Sequence, residues 1–163
     1  MVIVVMGVSG CGKTTIASRL AGRLGWPFAE ADNFHSQANV AKMRSGIPLE
    51  DDDRWPWLDA LAEWIDARRA EGRDCVVACS ALKRAYRERL ARGHDDLRFV
   101  YLRGDYDTIS SRLAGRTGHY MPLALLKTQF DALEEPGDDE QPLILDIDEA
   151  PEAMVDTIIL ALS

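Results

Sequence analysis

The sequence lacks three features that would assign it to a membrane, a secretory route or a nucleic acid. Its 163 residues contain no apolar run long enough to span a bilayer. Residues 1–6 lead directly into a glycine loop, without the basic start and cleavage site of a signal peptide. A formal net charge of -8 provides no general basic surface for a nucleic-acid backbone. We therefore expect a cytoplasmic protein that binds neither nucleic acid nor membrane.

Cysteine is also scarce. Cys11, Cys75 and Cys79 form neither an even disulfide set nor a metal-binding spacing, so we expect reduced thiols. What the chain does have is 47% hydrophobic residues, enough for one well-buried core. No repeat, low-complexity tract or linker divides it, and we expect a single domain over residues 1–163.

Short apolar or β-branched runs alternate with longer segments of helical periodicity. Strands are predicted at residues 2–5, 27–31, 75–79, 97–102 and 142–147. Helices are predicted around residues 16–24, 56–72, 83–92, 105–114, 122–133 and 155–162. The polar segment between the second strand and residue 56 is assigned to neither. This order predicts an α/β fold with a parallel five-stranded sheet and helices on both faces.

A phosphate-binding motif follows the first predicted strand and opens the first predicted helix. Residues 7–14 read Gly-Val-Ser-Gly-Cys-Gly-Lys-Thr and satisfy every fixed position of G-x-x-x-x-G-K-[ST]. A chance glycine turn, or a loop that binds nucleotide without catalysis, is the alternative. The motif in this context predicts a three-layer P-loop NTPase fold.

The motif predicts binding of ATP and Mg²⁺. Glycines let successive N–H groups face the phosphates, Lys13 bridges the β- and γ-phosphates, and the Thr14 hydroxyl ligates Mg²⁺. Cys11 fills a variable position, so no catalytic role is expected for its thiol. The predicted nucleotide-binding residues of the loop are Gly7, Val8, Ser9, Gly10, Cys11, Gly12, Lys13, Thr14 and Thr15.

Asp32 lies just beyond the second predicted strand, at the sheet edge that carries the phosphate loop. It could orient or deprotonate an attacking hydroxyl, or hold a water bound to Mg²⁺. A helix cap or turn aspartate is an equal alternative from position alone. His35 alone is more typical of a polar packing residue than of a substrate contact.

Basic residues elsewhere could hold an acidic acceptor. Arg54 could clamp an anion, although pairing with the acidic run at residues 50–53 explains it slightly better. Lys83 and Arg87 are four residues apart and share a helix face, which suits an acid substrate or an ordinary basic surface helix. Arg112 and Arg116 lead into a flexible stretch, residues 115–122, that could close as a mobile lid over ATP, or could be a surface loop.

Six separated blocks resemble the gluconokinases of the short, single-domain P-loop type, which are similar in fold to shikimate kinases. The blocks lie at residues 32–35, 39–49, 51–58, 79–87, 118–122 and 129–136. Ser36 stands where many members of that family have proline. Glu30 and Ala31 precede Asp32 where a more acidic or glycine-containing turn is common.

The resemblance implies transfer of a phosphoryl group from ATP to the 6-hydroxyl of D-gluconate, in a homodimer. It implies that the acceptor is bound by Asp32, His35, Arg54, Lys83, Arg87 and, less specifically, Gln129. It places Arg112 and Arg116 over ATP, with Lys13, Asp32 and Arg116 as the catalytic residues. Gluconate, a carboxylate with several hydroxyls, suits cationic clamps beside a polar group. A P-loop kinase for another small acid such as shikimate, or a nucleotide-binding regulatory module, are the alternatives.

Overall fold

The computed structural model describes residues 1–114 and 123–163. In that part of the chain the strands are β1 (Val2–Met6), β2 (Phe28–Glu30), β3 (Cys75–Ala78), β4 (Leu97–Arg103) and β5 (Leu143–Asp146). The helices are α1 (Lys13–Leu24), α2 (Gln37–Arg44), α3 (Asp51–Ala70), α4 (Arg84–Ala91), α5 (Tyr106–Ala114), α6 (Leu123–Ala132) and α7 (Pro151–Leu162). Short 3-10 helices lie at Ala31–Phe34 and Asp138–Glu140. None of these helices has both the length and the apolar character that crossing a membrane requires.

The sheet is parallel throughout and has the strand order β2-β3-β1-β4-β5. Strand β1 is central, and all five of its residues are buried. Val4 lies opposite Val77 of β3 on one side and Phe99 of β4 on the other. The predicted five-stranded parallel sheet is confirmed, and its continuous apolar strands are typical of a sheet covered on both faces.

The helices form two outer layers. Helix α1 packs against α7 on one face, whereas α3 packs against α4 on the other, as right-handed crossovers require for this strand order. The carboxyl ends of β1, β2 and β3 therefore open at one edge of the sheet. The phosphate loop, the Ala31–Phe34 turn and Ser80 follow those three ends directly.

The predicted start of α3 at Pro56 is wrong, because the helix begins five residues earlier at Asp51. In the capping box of Glu50 and Asp53, the Asp53 carboxylate accepts a hydrogen bond from the backbone N–H of Glu50 at 2.9 Å, and the backbone N–H of Asp53 donates to the carbonyl oxygen of Glu50 at 3.0 Å. An acidic first turn also interacts favourably with the helix dipole. These gains outweigh the hydrogen bond that Pro56 cannot donate, and the acidic run is the first turn of a helix rather than a loop.

Helix α2 lies in the segment that the sequence left unassigned. The Ser36 hydroxyl caps it by accepting a hydrogen bond from the backbone N–H of Asn39 at 3.1 Å. Only Asn39 and Met43 of this helix are buried, so it lacks a long apolar stripe. Helix α2 nevertheless forms one side of the site described next.

Candidate active site

The glycine-rich loop between β1 and α1 has a shape that side chains would disturb. Gly7 has a φ of 146°, and Gly12, which caps α1, has a φ of 99°. A Cβ atom on Gly7 would lie 2.7 Å from Cys11 Sγ and 2.9 Å from the carbonyl oxygen of Leu102. Glycine is therefore required by both conformation and space. The loop curls in front of the N-terminus of α1, whose dipole favours a bound anion.

Donors of the loop already point at oxygen atoms. The backbone N–H of Ser9 donates to Gln129 Oε1 at 2.6 Å. Lys13 Nζ donates to the carbonyl oxygen of Val8 at 3.1 Å. In both cases an oxygen atom of the protein accepts a hydrogen bond from a donor that can also bind a phosphate oxygen. Nucleotide phosphates would compete for these donors.

Thr14 and Glu30 bring a hydroxyl and a carboxylate together beside the loop. The Thr14 hydroxyl donates to the Glu30 carboxylate, and the backbone N–H of Asp32 donates to the same carboxylate at 3.3 Å. Glu30 is the last residue of β2, so its position follows from the sheet edge. Hard oxygen ligands of this kind are what Mg²⁺ prefers.

A cavity against the loop gathers Ser9 and five further predicted site residues: Lys13, Asp32, His35, Arg54 and Gln129. Their positions come from different elements, namely the start of α1, the turn after β2, the first turn of α3, and α6. The loop lysine and the predicted acceptor residues thus face the same space. Direct transfer between two bound molecules requires this arrangement.

His35 is held as a neutral ring on one wall of this cavity. It stacks on Trp57, with ring centroids 4.1 Å apart and planes inclined by 16°. Burial lowers the pKa of His35 to about 4, with Arg54 acting in the same direction and Asp32 opposing it. Trp57 is fixed in turn, because its Nε1 donates to the carbonyl oxygen of Ala31 at 2.7 Å.

Arg54 has a buried donor with no partner among the residues that the structure describes. Its Nη2 donates to the carbonyl oxygen of Leu49 at 3.3 Å, and its guanidinium lies 5.2 Å from the ring centroid of Tyr86. Its Nε is buried and has no hydrogen-bond partner within residues 1–114 and 123–163. An unsatisfied buried donor is costly, so this atom favours a ligand with an oxygen acceptor.

The acids before Arg54 have other cationic partners. Asp53 pairs with Lys42 at 3.0 Å, and Asp51 pairs with Lys83 at 3.4 Å while accepting a hydrogen bond from Tyr86. The Tyr86 hydrogen bond is the main reason why the pKa of Asp51 is lowered. These contacts leave the Arg54 guanidinium facing the cavity.

The structure does not bring Lys83 or Arg87 into the lining of this cavity. The Lys83 ammonium lies against Asp51 and 5.7 Å from the ring centroid of Tyr86, the ring that Arg54 also faces. Arg87 is only 2% exposed and donates to Glu140 from Nε at 2.7 Å and from Nη2 at 3.1 Å. Its Nη1 donates to the carbonyl oxygen of Ala81 at 2.8 Å. Arg87 therefore differs from its expected place facing the acceptor, because its three guanidinium nitrogens are used within the protein.

Arg112 lines a second cleft, on the other side of the loop. Its Nη2 donates to the carbonyl oxygen of Ile147 at 2.9 Å, and the cleft continues past Thr15 to Pro151. Cys11 also borders it, but burial raises the pKa of that thiol, which agrees with a packing role. The cleft adjoins the start of α1, where the remainder of a nucleotide would extend from its phosphates.

Arg116 and the predicted lid, residues 115–122, lie outside the described residues. Their expected place over ATP therefore stays a prediction. Glu30 and Asn39, in contrast, are described residues that the sequence reasoning did not assign to the site. The position of Glu30 at the end of a strand could have indicated it, and Ser36 as a helix cap could have indicated α2 and hence Asn39.

Known proteins resemble this chain over nearly its whole length. Residues 2–136 match the family described as an AAA domain. The chain is 46% identical over 155 residues to the thermoresistant gluconokinase of Escherichia coli (strain K12), covering 94% of this chain and 89% of that protein. The chain belongs to the gluconokinase family.

Solved structures of similar proteins agree with this membership. A sugar kinase from Janibacter sp. HTCC2649 superposes with a TM-score of 0.93 at 48% identity, covering 98% of this chain and 92% of that one. A gluconokinase from Sinorhizobium meliloti 1021 gives a TM-score of 0.84 at 43% identity, covering 94% and 86%. Shikimate kinase from Aquifex aeolicus shares the fold, with a TM-score of 0.60 at 19% identity. The expected gluconokinase resemblance and P-loop kinase fold are both confirmed.

Proposed function

We propose that this member of the gluconokinase family transfers the terminal phosphoryl group of ATP to the 6-hydroxyl of D-gluconate, forming 6-phospho-D-gluconate and ADP. The observation that carries the proposal is that Lys13 lines the same cavity as Asp32 and Arg54. Phosphoryl transfer relies on positioning and charge rather than on covalent chemistry with the protein. A donor loop and an acceptor wall that face one space are its main structural requirement.

On the donor side, the N–H groups of the loop hold the phosphates of ATP. The phosphates replace Gln129 as the acceptor for Ser9 N–H, and Val8 as the acceptor for Lys13. The nucleoside occupies the cleft between Thr15 and Arg112. Release of Gln129 Oε1 from Ser9 lets the Gln129 carboxamide contact the acceptor.

Thr14 and Glu30 are the residues that would hold Mg²⁺, directly or through water. Their hydroxyl and carboxylate already meet at the loop, so the donor set fits a hard cation. Asp32, two residues beyond Glu30, adds a further carboxylate on the same side. Bound with ATP, the ion would offset the negative charge of the phosphates.

On the acceptor side, the buried Nε and the remaining donors of Arg54 bind the carboxylate of gluconate. Neutral His35 donates to a hydroxyl oxygen. Asp32 aligns the 6-hydroxyl for in-line attack on the terminal phosphoryl group. Such a transition state is loose and needs little help from a base, so alignment is its main contribution.

Five further parts of the proposal rest on the sequence and the family resemblance. Arg116 stabilises charge on the transferring group, and residues 115–122 cover ATP. Lys83 attracts the acid at the rim of the cavity, where its ammonium is one third exposed. The protein acts in the cytoplasm, and it does so as a homodimer.

A coupled assay for ADP release tests the proposed function. The assay compares D-gluconate with shikimate, other sugar acids and no acceptor, each with ATP and Mg²⁺. We expect turnover that depends on gluconate and a low rate without acceptor. Turnover on shikimate and none on gluconate would overturn the substrate, whereas ATP binding without turnover on any acceptor would favour a regulatory module.

A further inference from the structure

Asn39 is a buried polar residue next to the acceptor cavity, but it is not part of the cavity lining. It lies in the first turn of α2 and is 6% exposed. It lines a neighbouring cavity that shares Trp57 with the acceptor cavity but is not lined by Asp32 or Arg54. A buried carboxamide must satisfy its hydrogen bonds within the protein, so its partners show what it does.

The orientation of the Asn39 carboxamide follows from one of those partners. Asn39 Nδ2 lies 2.9 Å from the carbonyl oxygen of Asp53. A backbone carbonyl can only accept, so the atom facing it must be the NH₂ group rather than the amide oxygen. Asp53 is held in place by the capping box that starts α3. The orientation of the amide is therefore set by the backbone.

The second N–H of the same amide faces His35. Asn39 Nδ2 lies 3.3 Å from His35 Nδ1. Because that amide nitrogen is a donor, Nδ1 must accept, and in a neutral imidazole the proton then resides on Nε2. The stacking of His35 on Trp57 fixes the plane of the ring, and the Asn39 contact selects one of its two orientations, because a half-turn about the Cβ–Cγ bond would place Cδ2 at the Nδ1 position.

Asn39 approaches the ring from outside the cavity, whereas His35 itself lines the cavity. Nδ1 is therefore the nitrogen turned away from the acceptor. We propose that Asn39 is a positioning residue that holds His35 as its Nε2–H tautomer, so that the ring presents an uncharged N–H donor to an oxygen of the acceptor. The substrate half of this inference rests on the proposed function, since it needs an acceptor in this cavity.

The charged groups around the His35 ring explain why an uncharged N–H donor suits this cavity. Asp32, Arg54 and Lys13 face the same cavity and already supply one negative and two positive groups. A neutral donor adds directional recognition of a hydroxyl oxygen without a further charge. An Nε2 without its proton would only accept hydrogen bonds. A hydroxyl oxygen of the bound substrate would then find no donor there.

Nuclear magnetic resonance can read the tautomer directly. Two-bond ¹H–¹⁵N correlation spectra distinguish protonated from unprotonated ring nitrogens, and the chain has 3 histidines. Loss of one set of signals in His35→Gln assigns His35. We expect a protonated Nε2 and an unprotonated Nδ1 in the unliganded protein near neutral pH. A protonated Nδ1 with a bare Nε2 would overturn the inference, and the tautomer itself is read in the wild-type protein.

Asn39→Asp tests whether Asn39 sets the tautomer. A carboxylate beside Nδ1 accepts rather than donates, so the proton should move to Nδ1. KM for gluconate should then rise about tenfold, while KM for ATP and kcat change about twofold or less. Gln37→Glu makes the same change of charge at an exposed position of α2 and should leave these constants unchanged. An unchanged tautomer with unchanged KM for gluconate would overturn the positioning role.

Two substitutions of His35 separate recognition from packing. Glutamine can place an N–H near the position of Nε2, whereas asparagine can reach only the position of Nδ1. We expect His35→Gln to keep a lower KM for gluconate than His35→Asn, and the reverse order would contradict the inference. The spectrum does not depend on turnover. An Nε2–H ring in a protein inactive on gluconate would sink the proposed function alone, and an Nδ1–H ring in an active enzyme would sink this inference alone.

Discussion

Two regions meet at the cavity, and they are built in different ways. The phosphate loop, residues 7–14, is one continuous segment that presents backbone N–H groups together with Lys13. The acceptor wall, which we define as Asp32, His35 and Arg54, presents side chains from a turn and from α3. The loop depends on glycine conformation, and the wall depends on packing among separate elements.

This difference separates the expected effects of substitution. Substitutions in the loop should impair the use of ATP and hence the phosphorylation of every acceptor. Substitutions of His35 and Arg54 in the wall should weaken gluconate binding and leave ATP binding unchanged, because these side chains belong to elements other than the loop. Substitution of Arg87, whose guanidinium is paired inside the protein, should act on stability instead. The predictions below follow these three classes, from the largest expected effect to the smallest.

Lys13→Ala should lower kcat about a thousandfold, because it removes a positive charge from the transferring phosphoryl group. Steady-state kinetics with saturating ATP and gluconate would measure this loss. Lys127→Ala is the matched control, since Lys127 is exposed and pairs with Asp131 on α6. A nearly wild-type kcat in Lys13→Ala would show that the loop lysine takes no part in phosphoryl transfer.

Arg87→Met should destabilise the fold without changing gluconate recognition. It leaves Glu140 partly buried without its cation, which costs about 3 kcal/mol of unfolding free energy. Denaturant unfolding would measure the loss, and the double variant with Glu140→Leu should recover much of it. A large rise in KM for gluconate with unchanged stability would instead return Arg87 to the acceptor site.

Arg54→Ala should raise KM for gluconate roughly thirtyfold, because a charged hydrogen bond to the carboxylate is lost. KM for ATP should stay close to the wild-type value. Arg44→Ala, an exposed arginine at the end of α2, is the control and should change neither constant. Equal loss of ATP and gluconate binding in Arg54→Ala would contradict the separation of loop and wall.

His35→Gln should flatten the loss of stability in mild acid. The pKa of His35 is about 4 in the folded protein against an ordinary value of 6.5, so the unfolded chain takes up the proton first. Stability therefore falls as pH falls from 6.5 towards 4. Urea midpoints at about pH 7 and about pH 5 should differ less in His35→Gln than in wild type. Exposed His94→Gln should keep the wild-type difference.

The contrast between loop and wall also explains how far the sequence could be read. The phosphate loop is one contiguous segment, so the spacing of its residues in the sequence predicted both its position and its phosphate-binding chemistry. Alternating apolar runs likewise predicted the parallel sheet, because strands buried on both faces have a continuous apolar signal. The family resemblance supplied most of the acceptor residues, and six predicted site residues, Ser9 among them, share one cavity.

Predictions failed where several local signals competed. Pro56 was taken as a helix start, although the capping box of Glu50 and Asp53 and the acidic first turn begin α3 earlier. Helix α2 has little apolar surface, so periodicity could not reveal it. Arg87 shares a helix face with Lys83 in the sequence, but its buried pair with Glu140 comes from a segment about fifty residues away. Such a long-range ion pair has no local signal.

The position of the phosphoryl group on the product tests most directly whether the loop and the wall act on one gluconate. The measurement is a ¹³C and ³¹P spectrum of the product formed from ATP and ¹³C-labelled D-gluconate. We predict phosphorus coupling at C6 and ADP formed in equal amount to the ester. A phosphate on another carbon, or ADP released without any phosphorylated gluconate, would contradict this account.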